Sequence, residues 1–229
     1  MRRLFFILAL LSLVACDMNS DTSEVVIDWV DFVNIDGEQY QGLHTVKIAD
    51  SRFIGAEIGQ VDFNVDENIS NPSYKPKDGD AAFLEKGTKL YQVKDMPNLL
   101  AVHDEHEING YKIYQKEESK ANWNYQHMNK DTIEKIEIYE GYTNPKPLHI
   151  ISGQKEIDRL IQLLDEGKTS NDFSPDISEG DPVMYQMVFY HDKPISYQFT
   201  LQFDGDVWFW TQEHLQIVAD EIGDIVLAP

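Results

Sequence analysis

The stretch VMYQMVFYHDKPISYQFTLQFDGDVWFW, residues 183–210, decides the fold of the second half of the chain. It divides into three strand-like runs, Val183 to Tyr190, Ile195 to Phe203 and Val207 to Trp210. The breaks between them are His191-Asp192-Lys193-Pro194 and Asp204-Gly205-Asp206, residue types that favour tight hairpin turns. Immediately upstream, Ile157, Leu160, Ile161 and Leu164 follow the i, i+3, i+4, i+7 rule of an amphipathic helix. Ser152 is the expected N-cap and Gly167 the expected exit. A further strand, Ile133 to Glu140, precedes a loop from Gly141 to Pro147, and Asn171 to Pro182 is a second loop. The tail from His214 to Leu227 is expected to form a short helix or an edge segment. Strand, helix and a three-strand meander give a β-α-β-β-β layer with one helix on an antiparallel sheet.

The first half reads differently. Strand candidates are Val25 to Asn34, Tyr40 to Ile48, Ile58 to Val65, Leu90 to Val93, Leu99 to His103 and Tyr111 to Gln115. Asp36-Gly37 marks a turn, and Asn68 to Gly79, with two prolines, an exposed loop. The expected fold class is therefore mainly β, α+β. A barrel- or sandwich-like β-rich domain spans 25–115, a polar linker 116–131, and the α+β domain 132–229. Trp123 and Tyr125 within the linker point to packing rather than free solvation.

The N-terminus carries Met1-Arg2-Arg3, an apolar run from Leu4 to Leu13, and then Leu13-Val14-Ala15-Cys16. That layout is an export signal, too short to span a bilayer. Its last four residues resemble the bacterial lipobox. The resemblance implies lipid attachment to the Cys16 sulfur and cleavage between Ala15 and Cys16, making 1–15 a signal peptide and 16–24 a polar tether. Acyl chains contribute about 0.8 kcal/mol per buried CH₂, so two of them would hold the chain at the membrane. Cys16 is the only cysteine; once acylated it leaves no thiol for a disulfide.

Together with the segment Gly87-Thr88-Lys89-Leu90-Tyr91 and the final hairpin ending Val207-Trp208-Phe209-Trp210, the lipobox makes the chain similar to the small membrane lipoproteins of Gram-positive bacteria. That resemblance implies a place on the extracytoplasmic face of the cell membrane and brings no activity with it.

The chain has 19 Lys and Arg against 40 Asp and Glu, a formal charge of −21. Removing Arg2 and Arg3 with the signal leaves 17 against 40, or −23. Such a surface repels nucleic acid and favours solubility beside an anionic membrane. The expected partners are the membrane, through the lipid, and a protein or envelope ligand; no cofactor is expected.

Few constellations carry chemistry. His103-Asp104-Glu105-His106-Glu107 gathers ligand-type side chains, with His103, Asp104 and His106 the candidate ligands of a divalent metal such as zinc. It is not the helical H-E-x-x-H pattern, and on a strand His103 and His106 would face opposite ways. Residues 62–66 open like a calcium loop, but Glu67 stands where that loop needs glycine. Trp208 and Trp210 share one strand face, either as a platform for a sugar or peptide or as core. No G-x-S-x-G elbow and no phosphate-binding glycine loop occurs. The reading is a lipid-anchored extracytoplasmic lipoprotein acting as a non-catalytic binding or accessory module. The alternatives are a metal-binding lipoprotein using 103–107 and a cell-envelope hydrolase without a familiar motif.

Overall fold

The computed structural model describes residues 27–119, 121–141 and 146–228. Ala15 and Cys16, with the signal segment and the tether, lie outside the described residues. The fold is mainly β with added helices, built on two sheets, one of them curled into a half-barrel.

Strands of the first half are β1 (Phe32–Ile35), β2 (Glu38–Leu43), β3 (Val46–Ile48), β4 (Ile54–Gln60) and β5 (Phe63–Asn64). After the single helical turn α1 (Val65–Asn68) come β6 (Asp80–Ala81), β7 (Lys89–Val93), β8 (Leu99–His103) and β9 (Tyr111–Lys116). Asp36 and Gly37 both have positive φ, 54° and 76°, as a two-residue hairpin turn between β1 and β2 requires. The strand order is β4-β7-β8-β9-β2-β1-β6-β5. Val33, Ile35, Leu90, Leu100, Val102 and Tyr114 fill the inside of the curl. Leu99, Ala101 and Ile113 point the other way, onto Val46, Ile48 and Ile195. Strand β8 is thus covered on both faces, and its four consecutive apolar residues follow from that.

The second half contributes β10 (Lys135–Glu140), β11 (His149–Ile151), α2 (Gln154–Asp165), β12 (Lys168–Thr169), β13 (Val183–Tyr190), β14 (Ile195–Phe203), β15 (Trp208–Thr211), β16 (Leu215–Val218) and α3 (Glu221–Val226). Their order is β11-β10-β13-β14-β15-β16-β12. Ile157, Leu160, Ile161 and Leu164 of α2 pack on Ile136, Ile138, Met187 and Phe189. The helix is capped by Gly153 rather than Ser152: the Gly153 carbonyl accepts from the N–H groups of Glu156 and Ile157, and no side chain caps it. The segment 121–131 is built into this core. Tyr125 lies edge-on to Trp210 at 4.8 Å, and Met128 is buried beside it.

Three strand expectations change. Of the run read from Val25 to Asn34, the described residues before Phe32 are not strand, and β1 runs on to Ile35. The single strand read from Tyr40 to Ile48 breaks at His44-Thr45, and its halves join different sheets. Alternation cannot show this, because β2 and β3 each satisfy their own sheet. The strand read from Ile58 to Val65 is also divided: β4 ends at Gln60, and the Asn64 side chain caps α1 by accepting from the Glu67 N–H at 3.1 Å.

Strand β3 joins the halves. It pairs Val46, Lys47 and Ile48 with Tyr197, Ser196 and Ile195 of β14, while β15 pairs with Leu201 to Phe203 of that strand. With β13 along the other side of β14, β3 and β15 follow one another along a single edge.

Candidate functional site: a polar cleft where two strands part

Between β3 and β15, residues 198–200 of β14 have no strand partner on the shared edge. The Gln198 N–H donates to the Thr45 carbonyl at 2.9 Å, and pairing resumes at Leu201 opposite Trp210. A cleft of about 520 Å³ opens at this gap.

The alternation of the second sheet sets what lines it. Met187, Phe199 and Leu201 face the helix, so Gln186, Gln198 and Thr200 face away and meet the cleft. Gln186 is only 1% exposed. Its Oε1 accepts from Gln198 Nε2 at 2.8 Å and from Thr200 Oγ1 at 2.9 Å. Gln186 Nε2 and Gln198 Oε1 are left with no hydrogen-bond partner. An interior amide atom so placed costs about 1–3 kcal/mol.

One wall is the corner between β2 and β3, with His44, Thr45 and the buried Lys47. Another is the turn between β8 and β9, with Asp104, His106 and Glu107; Lys47 Nζ donates to Glu107 Oε2 across the junction of the two walls. Thr211, which ends β15, and Glu213 just after it form the rim. Half of the lining is neutral amides and hydroxyls; Lys47 and Glu107 pair with one another, and Asp104 and Glu213 leave the cleft net acidic.

The β8–β9 turn is anchored behind the cleft. Asn109, at φ 62°, donates from Nδ2 to the Ile48 carbonyl at 2.8 Å and to the Tyr190 hydroxyl at 3.0 Å. Tyr190 and Tyr139 donate to Glu137 Oε2 at 2.7 and 2.6 Å, and Lys135 donates to Glu137 Oε1 at 2.7 Å. Burial alone would raise the Glu137 carboxyl; these three bonds outweigh it and hold it below its ordinary value. Burial, and then the bonds to Glu137, push both phenols well above theirs.

The sequence-derived metal candidates do not converge. His103, at the end of β8, stands edge-on to Tyr111 at 5.4 Å between ring centres. Asp104 Oδ1 accepts from the His106 backbone N–H at 2.9 Å, and the His106 side chain is 79% exposed. Among the described residues no three His, Cys, Asp or Glu side chains are grouped to hold a metal ion. Trp208 and Trp210 are 4% and 1% exposed and sit in the helix-side core, so they form no open platform. The face they share is the one α2 and α3 cover, which is the physical reason.

A second cavity, also about 520 Å³, lies at the same seam and is walled by Met96, Trp123, Tyr197 and His191. Burial lowers the His191 pKa, and its Nε2 has no partner. Sequence reasoning missed Lys47, Gln186, Gln198 and Thr200. A glutamine between apolar neighbours in β13 and β14 reads as the solvated face of a strand, and only the placement of β3 shows otherwise.

Comparison with protein-family models, with curated proteins and with solved structures gives no match for this chain.

Proposed function

We propose that the protein is a lipid-anchored extracytoplasmic binding module whose ligand seats in the cleft between β3 and β15. The cleft carries this reading: a polar cavity at the junction of two sheets, with two interior amide atoms lacking partners. The anchoring part is supported by the export-signal layout and by Leu13-Val14-Ala15-Cys16. Among the described residues no helix is long and apolar enough to cross a membrane. In the cleft, the Thr200 hydroxyl donates to an amide oxygen rather than to a base, an arrangement suited to holding a ligand.

The test places a photo-crosslinking amino acid at Glu213, on the cleft rim, and separately at the exposed Glu179, in intact cells making the full chain. A discrete adduct from position 213 alone supports the reading, and identical adduct patterns from both positions overturn it. The anchoring part is tested by mass spectrometry of the chain from the membrane fraction, which should show loss of residues 1–15 and acyl mass on Cys16. An uncleaved or unacylated N-terminus removes the lipid from the account.

A further inference from the structure

We infer that the ligand group recognised in this cleft is a carboxamide, and that the natural ligand is an extended peptide segment with no acidic group at the site. The inference rests on the binding reading above and adds the chemistry.

Gln186 and Gln198 share one hydrogen bond, Gln198 Nε2 to Gln186 Oε1, and leave one amide nitrogen and one amide oxygen over. Exchanging the O and N assignments of both side chains gives the same remainder, one donor and one acceptor. The N–H and C=O of one residue in an extended peptide face the same way and offer the complement, the carbonyl oxygen for the nitrogen and the N–H for the oxygen, with the two buried glutamine amides turning to meet them. An ester offers only the acceptor.

The backbone supports the same class independently. Past the Gln198 N–H, which donates to the Thr45 carbonyl, residues 198–200 are a short length of edge with no strand partner, ending at the Leu201–Trp210 pair. An extended peptide bonds to such an edge through its main chain. Charge argues against an anionic group, because Lys47 is already matched by Glu107 and the lining carries two further carboxylates, Asp104 and Glu213. A sugar is the less favoured occupant: among the aromatic residues only Phe199 lines the cleft, and its ring belongs to the helix-side core.

The experiment titrates the full-length chain in detergent with N-acetylalanine methylamide, with its analogue in which both amides are esters, and with methyl glucoside, following the side-chain NH₂ resonances of glutamine by NMR. Saturable shifts of Gln186 and Gln198 with the diamide, and binding about 10-fold weaker for the diester, are expected. Q198L should abolish the preference while E179Q, at an exposed position outside the cleft lining, keeps it. In Q198L the Gln186 oxygen still accepts from Thr200, and a melting curve checks that the variant is folded. Equal binding of diamide and diester, or binding of the glucoside in their place, overturns the carboxamide assignment and leaves the cleft as a binding site. No shift at cleft resonances with any of the three overturns both.

Discussion

Replacing Glu137 by Gln probes the buried network that fixes the β8–β9 turn behind the cleft. The carboxylate accepts from Tyr139 and Tyr190 through one oxygen and from Lys135 through the other. The Lys135 side chain is 38% exposed, so its ammonium can return to water and its share of the loss is small. The two phenols are buried and cannot. A Gln side chain can keep its oxygen on the two phenols, but both bonds then lose the charge that strengthens them and the NH₂ group faces the Lys135 ammonium. That costs about 1–3 kcal/mol, a fall in Tm of roughly 2–4 °C for each kcal/mol in a chain of this size.

The pH dependence follows from the direction of the Glu137 shift. Its folded pKa is depressed, so the carboxylate stabilises the fold above the ordinary glutamate value of about 4.3 and loses that effect as pH falls through the lower folded value. Urea unfolding of both chains at several pH values between 7 and 3 reads this directly. The gap between wild type and E137Q should be full at pH 7 and close at the acid end. A gap of the same size at every pH, or none at pH 7, would refute the reasoning.

Three further outcomes are expected. In Gly42→Ala, the new Cβ would collide with Asp31 Oδ2, displacing a carboxylate that binds Lys112 at 2.6 Å and the Tyr114 hydroxyl at 3.1 Å; thermal melts should show a loss of about 1–3 kcal/mol, and an unchanged Tm would show that Asp31 moves aside freely. Trp210→Ala should cost about 3–5 kcal/mol through the cavity it leaves, and a stable variant defective only in ligand binding would return Trp210 to a platform role. Asn109→Ala and Tyr190→Phe, combined in a double-mutant cycle by urea unfolding, should show coupling of about 0.5–3 kcal/mol, whereas additive losses would separate the turn from the Glu137 network.

Much of the second sheet was legible. The runs at 183–190 and 195–203 match β13 and β14 end to end, and the helical stripe from Ile157 to Leu164 falls on α2. Local patterns decide these elements: hairpin turns fix neighbours, and one face is apolar. The short edge strands β11 and β12 escaped, because two or three residues carry no period. The division of Tyr40 to Ile48 escaped for a different reason. Val46 and Ile48 are apolar in either sheet, and the choice between sheets is made by the bare edge of Ile195 to Tyr197, some 150 residues away.

The cleft depends on that same long-range choice. Gln186 and Gln198 look like ordinary outward-facing residues until β3 and the 104–110 turn close over that side of the sheet. His103, Asp104 and His106 attracted attention through residue type alone, and the turn's hydrogen bonding spends Asp104 on backbone. Glu107, their neighbour, matters through Lys47, a partner on another strand.

The most direct measurement is to map where a peptide unit lands. The full-length chain is irradiated with N-acetylalanine methylamide carrying a diazirine, and its adducts are located by mass spectrometry of the digested protein. Attachment confined to residues 198–200 and 211–213, suppressed by excess unlabelled diamide, is the predicted result. Adducts scattered over the surface, or gathered at Trp123 and Tyr197 in the other cavity, would contradict it.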